Sequence, residues 1–339
     1  MQNDPTPALT LRRLIDGYQL SQALHVAATL GIADLLADGA RDTAELALAT
    51  HTHEPTLYRL LRALASVGVL HESAEQRFAL TPLGEPLRSD AEGSMAAWAE
   101  FVGSPAYWQA WSGLLHSVRT GENAFAHVHG MDVWRHREAH PEDGALFDRA
   151  MAALSRRAAA ALLGGYDFSA LRTLVDVGGG NGALLAAILR AHSRLQGTLL
   201  DLPHVVAAAL ARLVAAGVAD RCTVKGGSFF EGVPEGADAY LLRSVIHDWD
   251  DGDALRILTV VAKAMTTPAS RVLLVERVIA PPNEGRDAKF SDLNMLVSPG
   301  GRERTREQFE ALLAAAGLEL VRIDDAGGFS IIEALKAHA

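Results

Sequence analysis

One cysteine, Cys222, stands in 339 residues. An internal disulfide is thereby excluded, and a reducing cytoplasm is the expected location. Cys222 falls in a strand expected at 221–225 and reads as a small core residue rather than a nucleophile. No run of about 18 apolar residues occurs, so neither a membrane-spanning helix nor a membrane partner is expected. The first ten residues hold an acid and two prolines, and lack the basic-then-apolar order of a secretory leader. Positive charge is in deficit: 31 basic against 41 acidic residues give a net charge of −10. That opposes a nucleic-acid partner, because phosphate binding depends on Lys and Arg. Low-complexity tracts and short repeats are absent, and no His/Cys/Asp cluster has metal-ligand spacing, so no metal is expected. What is present is a chain 49% hydrophobic, long enough for a sizeable core and for more than one domain.

The most informative stretch is Leu174-Val175-Asp176-Val177-Gly178-Gly179-Gly180-Asn181-Gly182. A short apolar run rich in β-branched residues ends in an acid and a glycine cluster, and an Ala/Leu-rich helical pattern follows. This is a strand, a tight turn and a helix start, with glycines where a Cβ would obstruct a ligand. A second apolar run ends in Asp201, 23 residues after Gly178. In a nucleotide-binding α/β unit such an acid takes the ribose hydroxyls. A dinucleotide and S-adenosylmethionine both fit, since Gly178, Gly180 and Ala183 satisfy G-x-G-x-x-A.

Further motifs follow in order: Gly227-Ser228-Phe229-Phe230, then Leu241 to Asp251 containing His247-Asp248-Trp249-Asp250-Asp251, then Leu274-Val275-Glu276, then Gly300-Gly301-Arg302-Glu303-Arg304-Thr305. With Val175-Asp176-Val177-Gly178-Gly179-Gly180 and Asp201-Leu202-Pro203, the chain resembles the S-adenosylmethionine-dependent small-molecule O-methyltransferases. These are the plant caffeate- and flavonoid-type enzymes and their bacterial relatives in antibiotic and pigment pathways. The six motifs span about half the chain, and the N-terminal half has the family's layout.

The resemblance implies a set of roles. Gly178, Gly180 and their neighbours would pass close to the methionine part of the cofactor, Asp201 would bind the ribose, and Ser228 and Phe229 would flank the adenine. Many plant members have an acid and a methionine at the last two positions, so the adenine contacts must differ here. Arg243 replaces a common lysine and would keep a cation near the cofactor. Trp249 would pack on the adenine or on the loop of the base. His247 matches the catalytic base, and Glu276 and Glu303 match its supporting acids. S-adenosylhomocysteine would be the product.

Read without the family, these residues are plainer. A lone histidine among 13 is usually structural or exposed. Glu276 is already unusual, because a carboxylate rarely ends an apolar strand unpaired. Glu303, in a charged run, reads as a solvated acid at a helix start. Asp248, Asp250 and Asp251 read as loop structure and a helix N-cap.

Along the chain, three parts are expected: a winged-helix-like dimerisation domain at 1–95, a helical connecting and substrate-lining segment at 96–160, and a methyltransferase domain at 161–339. Leu20, Leu24, Ala27, Ala28 and Leu35 form an apolar stripe at helical spacing. Two short helices, 43–49 and 55–67, precede a hairpin, 69–72 and 77–81. A winged helix usually binds DNA, but Arg59 and Arg62 are the only basic residues of the second helix; in the family the module forms a homodimer. Four of the five tryptophans lie in the middle segment, where Trp108, Phe147 and Met151 are the expected substrate lining. Asn294 is either helix interior or a substrate hydrogen bond. Strands at 173–177, 197–200, 221–225, 238–242 and 271–276 alternate with helices at 182–192, 204–216, 251–266 and 305–316. Strands at 318–324 and 329–335 close the chain. This predicts a Rossmann-like, mainly parallel α/β sheet with one antiparallel strand.

The chemistry implied is methyl transfer to the hydroxyl of a small aromatic acceptor. A phenol with pKa near 10 needs a base at neutral pH, and a histidine oriented by a carboxylate can supply one. The alternatives are an N-methyltransferase or another cofactor-assisted enzyme on the same scaffold, and a winged-helix regulator sensing S-adenosylmethionine.

Overall fold

A computed structural model of the chain describes residues 6–337, apart from Ala208 and the side chains of 155–158. It divides into two compact units, Met1–Trp108 with Pro141–Leu154, and Gln109–His140 with Ser155–Ala339. The segment expected at 96–160 is thus shared between both units rather than standing alone.

In the first unit, the two expected short helices lie at Thr43–Thr50 and Glu54–Ser66. Asp42 starts the former with a capping box, its carboxylate accepting from the Glu45 amide while Glu45 returns the bond. The hairpin pairs β2 (Leu70–Glu72) with β3 (Arg77–Leu80), and a two-residue strand, β1 (Arg41–Asp42), adds to β3 to give the order β1-β3-β2. Leu46, Leu57, Leu61, Leu64 and Phe78 fill the core between these elements. A further helix, Pro7–Ile15, has no buried residue at all.

The second unit carries a seven-stranded sheet of order β6-β5-β4-β7-β8-β10-β9. Its strands are β4 (Thr173–Val177), β5 (Gln196–Asp201), β6 (Cys222–Gly226), β7 (Ala239–Arg243), β8 (Arg271–Glu276), β9 (Leu318–Asp325) and β10 (Ser330–Lys336). Strands β4 to β8 pair in parallel, and β10 runs antiparallel between β8 and β9, the single reversed strand expected. Because both faces are covered, the central strands are mostly apolar, with Asp176 the buried exception inside β4. Val175, Tyr240, Leu242, Val272 and Leu274 pack on one core with helix Asp251–Ala264, and Leu174, Leu241, Leu273 and Val275 pack on the other with helix Ala183–Ala191. Two helices, Pro203–Val206 and Ala209–Ala215, stand where one was expected. Helix Arg286–Val297 was anticipated only through one of the two readings of Asn294, because its polar residues interrupt any apolar stripe. Cys222 is half-buried against the second core, and burial pushes its thiol up to about 11.

Candidate active site

His247 sits in the short turn Ile246–Asp248 that follows β7. The chain bends into this turn at Ser244, whose φ of +51° lies in the left-handed region that non-glycine residues seldom adopt. Glu276, the last residue of β8, holds the next two amides: its Oε1 accepts from Val245 N at 3.0 Å and Ile246 N at 2.9 Å. The carboxylate that the sequence placed at the end of an apolar strand therefore caps the turn bearing the histidine. Its other oxygen lies 3.7 Å from His247 Nδ1. Nδ1 donates instead to Glu303 Oε1 at 2.9 Å, an oxygen that also accepts from Ser291 Oγ at 2.7 Å. Asp292 fixes the same acid through its backbone, accepting from Glu303 N at 2.9 Å. His247, Glu276 and Glu303 are all buried.

Burial alone would lower the His247 pKa, but the carboxylates of Glu276, Asp248 and Glu303 outweigh it and raise the pKa to about 10. Burial pushes Glu276 up to about 7 against the attraction of His247. Burial also opposes ionisation of Glu303, yet its bond to His247 holds the pKa below the ordinary value. The cluster is built to favour the imidazolium. One donor atom from each of the three residues lies within 4.8 Å of the others, so the set could also ligate an ion. Nδ1 and both Oε1 atoms are already engaged in hydrogen bonds.

The glycine turn lies beside this cluster at the carboxyl ends of the strands. A Cβ on Gly178 would come within 2.8 Å of Val245, and its φ of +69° suits glycine; Gly180, with φ +59°, has open space where its Cβ would be. Asp201, at the end of β5, accepts from Gly180 N at 2.8 Å and from Leu202 N at 2.7 Å, one bond to each oxygen. Each carboxylate oxygen can accept a second bond, which leaves capacity for a ribose diol. Asp176, buried beneath the turn, has its pKa raised to about 7 by burial and by Asp201. Phe229 meets Trp249 edge-on at 6.1 Å and reaches within 3.6 Å of a Cβ at Gly178. An open glycine cradle, an acid with spare acceptor capacity and an aromatic wall fit an adenosyl cofactor.

A family model described as the O-methyltransferase domain matches residues 111–319, and one described as the O-methyltransferase dimerisation domain matches 12–90. The chain belongs to the S-adenosylmethionine-dependent O-methyltransferase family. The phenazine O-methyltransferase PhzM of Lysobacter antibioticus is 43% identical, covering 96% of this chain and 95% of that protein. The crystal structure of LaPhzM superposes with a TM-score of 0.92 at 42% identity, over 96% of this chain and 98% of that one. An O-methyltransferase from neocarzinostatin biosynthesis, solved with S-adenosylmethionine and 2-hydroxy-5-methyl naphthoic acid, has a TM-score of 0.78 at 37% identity, over 94% and 96% of the two chains.

In this methyltransferase the residues expected at the cofactor gather at the strand ends. Arg243 ends β7, its pKa lowered to about 10 by burial against the pull of Glu276, and its guanidinium lies 5.1 Å from the Phe329 ring. Ser228 Oγ accepts from Phe230 N at 3.3 Å and so shapes the turn before Phe229. Trp249 stacks on Trp134 at 6.2 Å and meets Phe230 edge-on at 4.8 Å. Asn294 lies one turn after Ser291 on helix Arg286–Val297, on the face that bonds Glu303. Trp108, Phe147 and Met151 belong to the first unit, where Phe147 packs edge-on against Phe101 at 5.6 Å.

Asp248 is not simple loop structure: its Oδ1 lies 3.6 Å from His247 Nε2, and its pKa is raised by burial against the attraction of His247 and Arg137. Asp250 does cap a helix, accepting from Asp253 N at 2.8 Å. Ser291, Asp292 and Arg304 were missed. Ser291 and Asp292 lie on helix Arg286–Val297, and Arg304 lies in a charged run that reads as solvated, although it is the largest fully buried side chain among the described residues.

Proposed function

We propose that the enzyme methylates a hydroxyl of a small aromatic specialised metabolite, with His247 as general base. When bound, S-adenosylmethionine supplies a methyl group on a positively charged sulfur that leaves as a neutral thioether. Gly178, Gly180, Asp201, Ser228, Phe229, Arg243 and Trp249 would hold it, and Asn294 would face the acceptor. His247 Nε2 takes the acceptor's proton as its oxygen attacks. Glu303 keeps the proton on Nδ1, so Nε2 is the accepting nitrogen, and Glu276 and Glu303 stabilise the imidazolium that forms. This chemistry uses no metal. The observation that carries the reading is the 2.9 Å bond from buried Nδ1 to Glu303, backed by Glu276 at 3.7 Å.

The working form is a homodimer assembled through the N-terminal unit, in a soluble cytoplasmic setting without nucleic acid. Leu9, Leu11, Leu14, Ile15 and Tyr18 are exposed on a helix with no buried residue and on the start of the next, which supports this assembly.

His247→Ala tests the base. Expected are a kcat lower by about 10² or more, S-adenosylmethionine affinity nearly unchanged by calorimetry, and partial rescue at high pH, where the acceptor ionises in solution. Near-normal kcat at neutral pH would reduce the mechanism to proximity and point to an acidic hydroxyl or a nitrogen acceptor.

A further inference from the structure

The base and its acid lie on separate segments, 246–249 and 301–304, and proton transfer needs them in fixed register. Besides the His247–Glu303 bond itself, the Arg304 side chain joins the two. Arg304 follows Glu303 directly and is 0% exposed. A buried guanidinium is costly unless its donors are met, and here they are. Nε and one terminal nitrogen donate to Asp251 Oδ1 at 2.9 and 2.8 Å. The same terminal nitrogen donates to the Trp249 carbonyl at 3.0 Å, and the other donates to the carbonyls of Ile246 at 3.1 Å and Arg302 at 3.3 Å. Ile246 and Trp249 bracket His247 and Asp248, so the fork grips the turn on both sides of the base. Asp251 begins helix Asp251–Ala264, which anchors the grip to a rigid element.

Two backbone contacts close the same seam. Arg302 N donates to the His247 carbonyl at 2.8 Å. Gly301 lies so close that a Cβ there would stand 2.0 Å from that oxygen. The Arg304 carbonyl accepts from Ile279 N at 2.9 Å, beyond the end of β8 that bears Glu276. The three segments carrying His247, Glu276 and Glu303 thus converge on one residue.

We infer that Arg304 is the positioning residue that keeps His247 aligned on Glu303, a role resting on the reading of His247 as base. It is enclosed and touches no reacting atom, so it acts through the His247–Glu303 bond. Its planar fork reaches two carbonyl-bearing segments and one carboxylate at once, which the point charge of a lysine cannot do.

The test uses Arg304→Lys, and Asp251→Asn as a milder variant because the Asp251 side chain is 61% exposed. Titration of His247 is followed by 15N-histidine NMR on the free protein, its signals assigned by their loss in His247→Gln. Expected is a lower titration midpoint in both variants, by about tenfold in proton affinity for Arg304→Lys, as Glu303 moves off Nδ1. S-adenosylhomocysteine affinity should stay within about twofold while the plateau kcat on a phenolic acceptor, compared above the His247 titration midpoint of each protein, falls about 10- to 100-fold, since small misplacements of reacting groups have such costs. On a His247→Ala background Arg304→Lys should change kcat less than about twofold, as residues acting through one group are not additive. An unchanged midpoint in both variants overturns the inference, as does a full additional loss on the His247→Ala background. Should Arg304→Lys not fold, the midpoint in Asp251→Asn decides alone. If His247→Ala itself keeps its kcat, the base reading has failed; if it loses kcat while the clamp variants titrate like the parent, only the clamp has.

Discussion

His247 shows how far an environment can move a single group. Three carboxylates raise its pKa to about 10 despite burial. A base acts only when neutral, and below its pKa the neutral fraction grows about tenfold per pH unit. The proposed mechanism therefore predicts that kcat/KM, which reports the free enzyme, rises from pH 7 towards 10. A profile with a limb near the ordinary histidine value of about 6.5 would show that the carboxylates do not act on it as charges. Asp201 offers a second test at this scale. It binds the Gly180 amide and retains acceptor capacity, so Asp201→Ala should weaken S-adenosylmethionine binding by about 1.5–3 kcal/mol, the worth of charged hydrogen bonds. Unchanged affinity by calorimetry would remove it from the cofactor site.

Elements explain why these residues meet. Parallel strands deliver their last residues to one edge of the sheet, and Asp201, Arg243 and Glu276 are each the last residue of a strand. Loops after those strands add the glycine turn and His247. Glu303 arrives differently, on a loop between helix Arg286–Val297 and helix Arg306–Ala315, held by Ser291 and Asp292. Close approach of this loop to the His247 turn depends on Gly301. Gly301→Ala places a methyl group against the His247 carbonyl and should destabilise the fold by about 1–3 kcal/mol, as overpacking does, with a matching fall in the urea midpoint. A stability equal to the parent's would mean that the two loops can separate freely.

For the whole molecule, the proposed homodimer assembles through the first unit, where the match to the dimerisation domain lies. A stable dimer usually buries about 1,200–2,000 Å² or more, and the exposed apolar residues of the first helices are available for it. Sedimentation at micromolar concentration should give a dimer, and deletion of residues 1–20 should shift it towards monomer. A fully active monomer would contradict the assembly. No helix among the described residues is long and apolar enough to cross a membrane.

Local rules made the α/β sheet legible: β4 lies where Thr173–Val177 promised it, and the closing pair of strands was readable from 318 onward. Periodicity and turn residues act over a few positions, and they carry this much. The glycine turn and Asp201 also belong to one local β-α-β unit, so a nucleotide-bearing ligand was readable from them, while the choice between a dinucleotide and S-adenosylmethionine came from the further motifs. Helix Arg286–Val297 was hidden because no continuous apolar stripe marks it. The acid cluster was not readable from spacing: His247 and Glu303 stand 56 positions apart, and their 2.9 Å bond exists only after the sheet has formed. Glu303 and Arg304 look like solvated charges in a charged run, and Asp248 like part of a loop. Burial, which decides whether a charge is a surface group or the neighbour of a base, depends on what other segments pack over it. Tertiary structure alone settled that for these three residues.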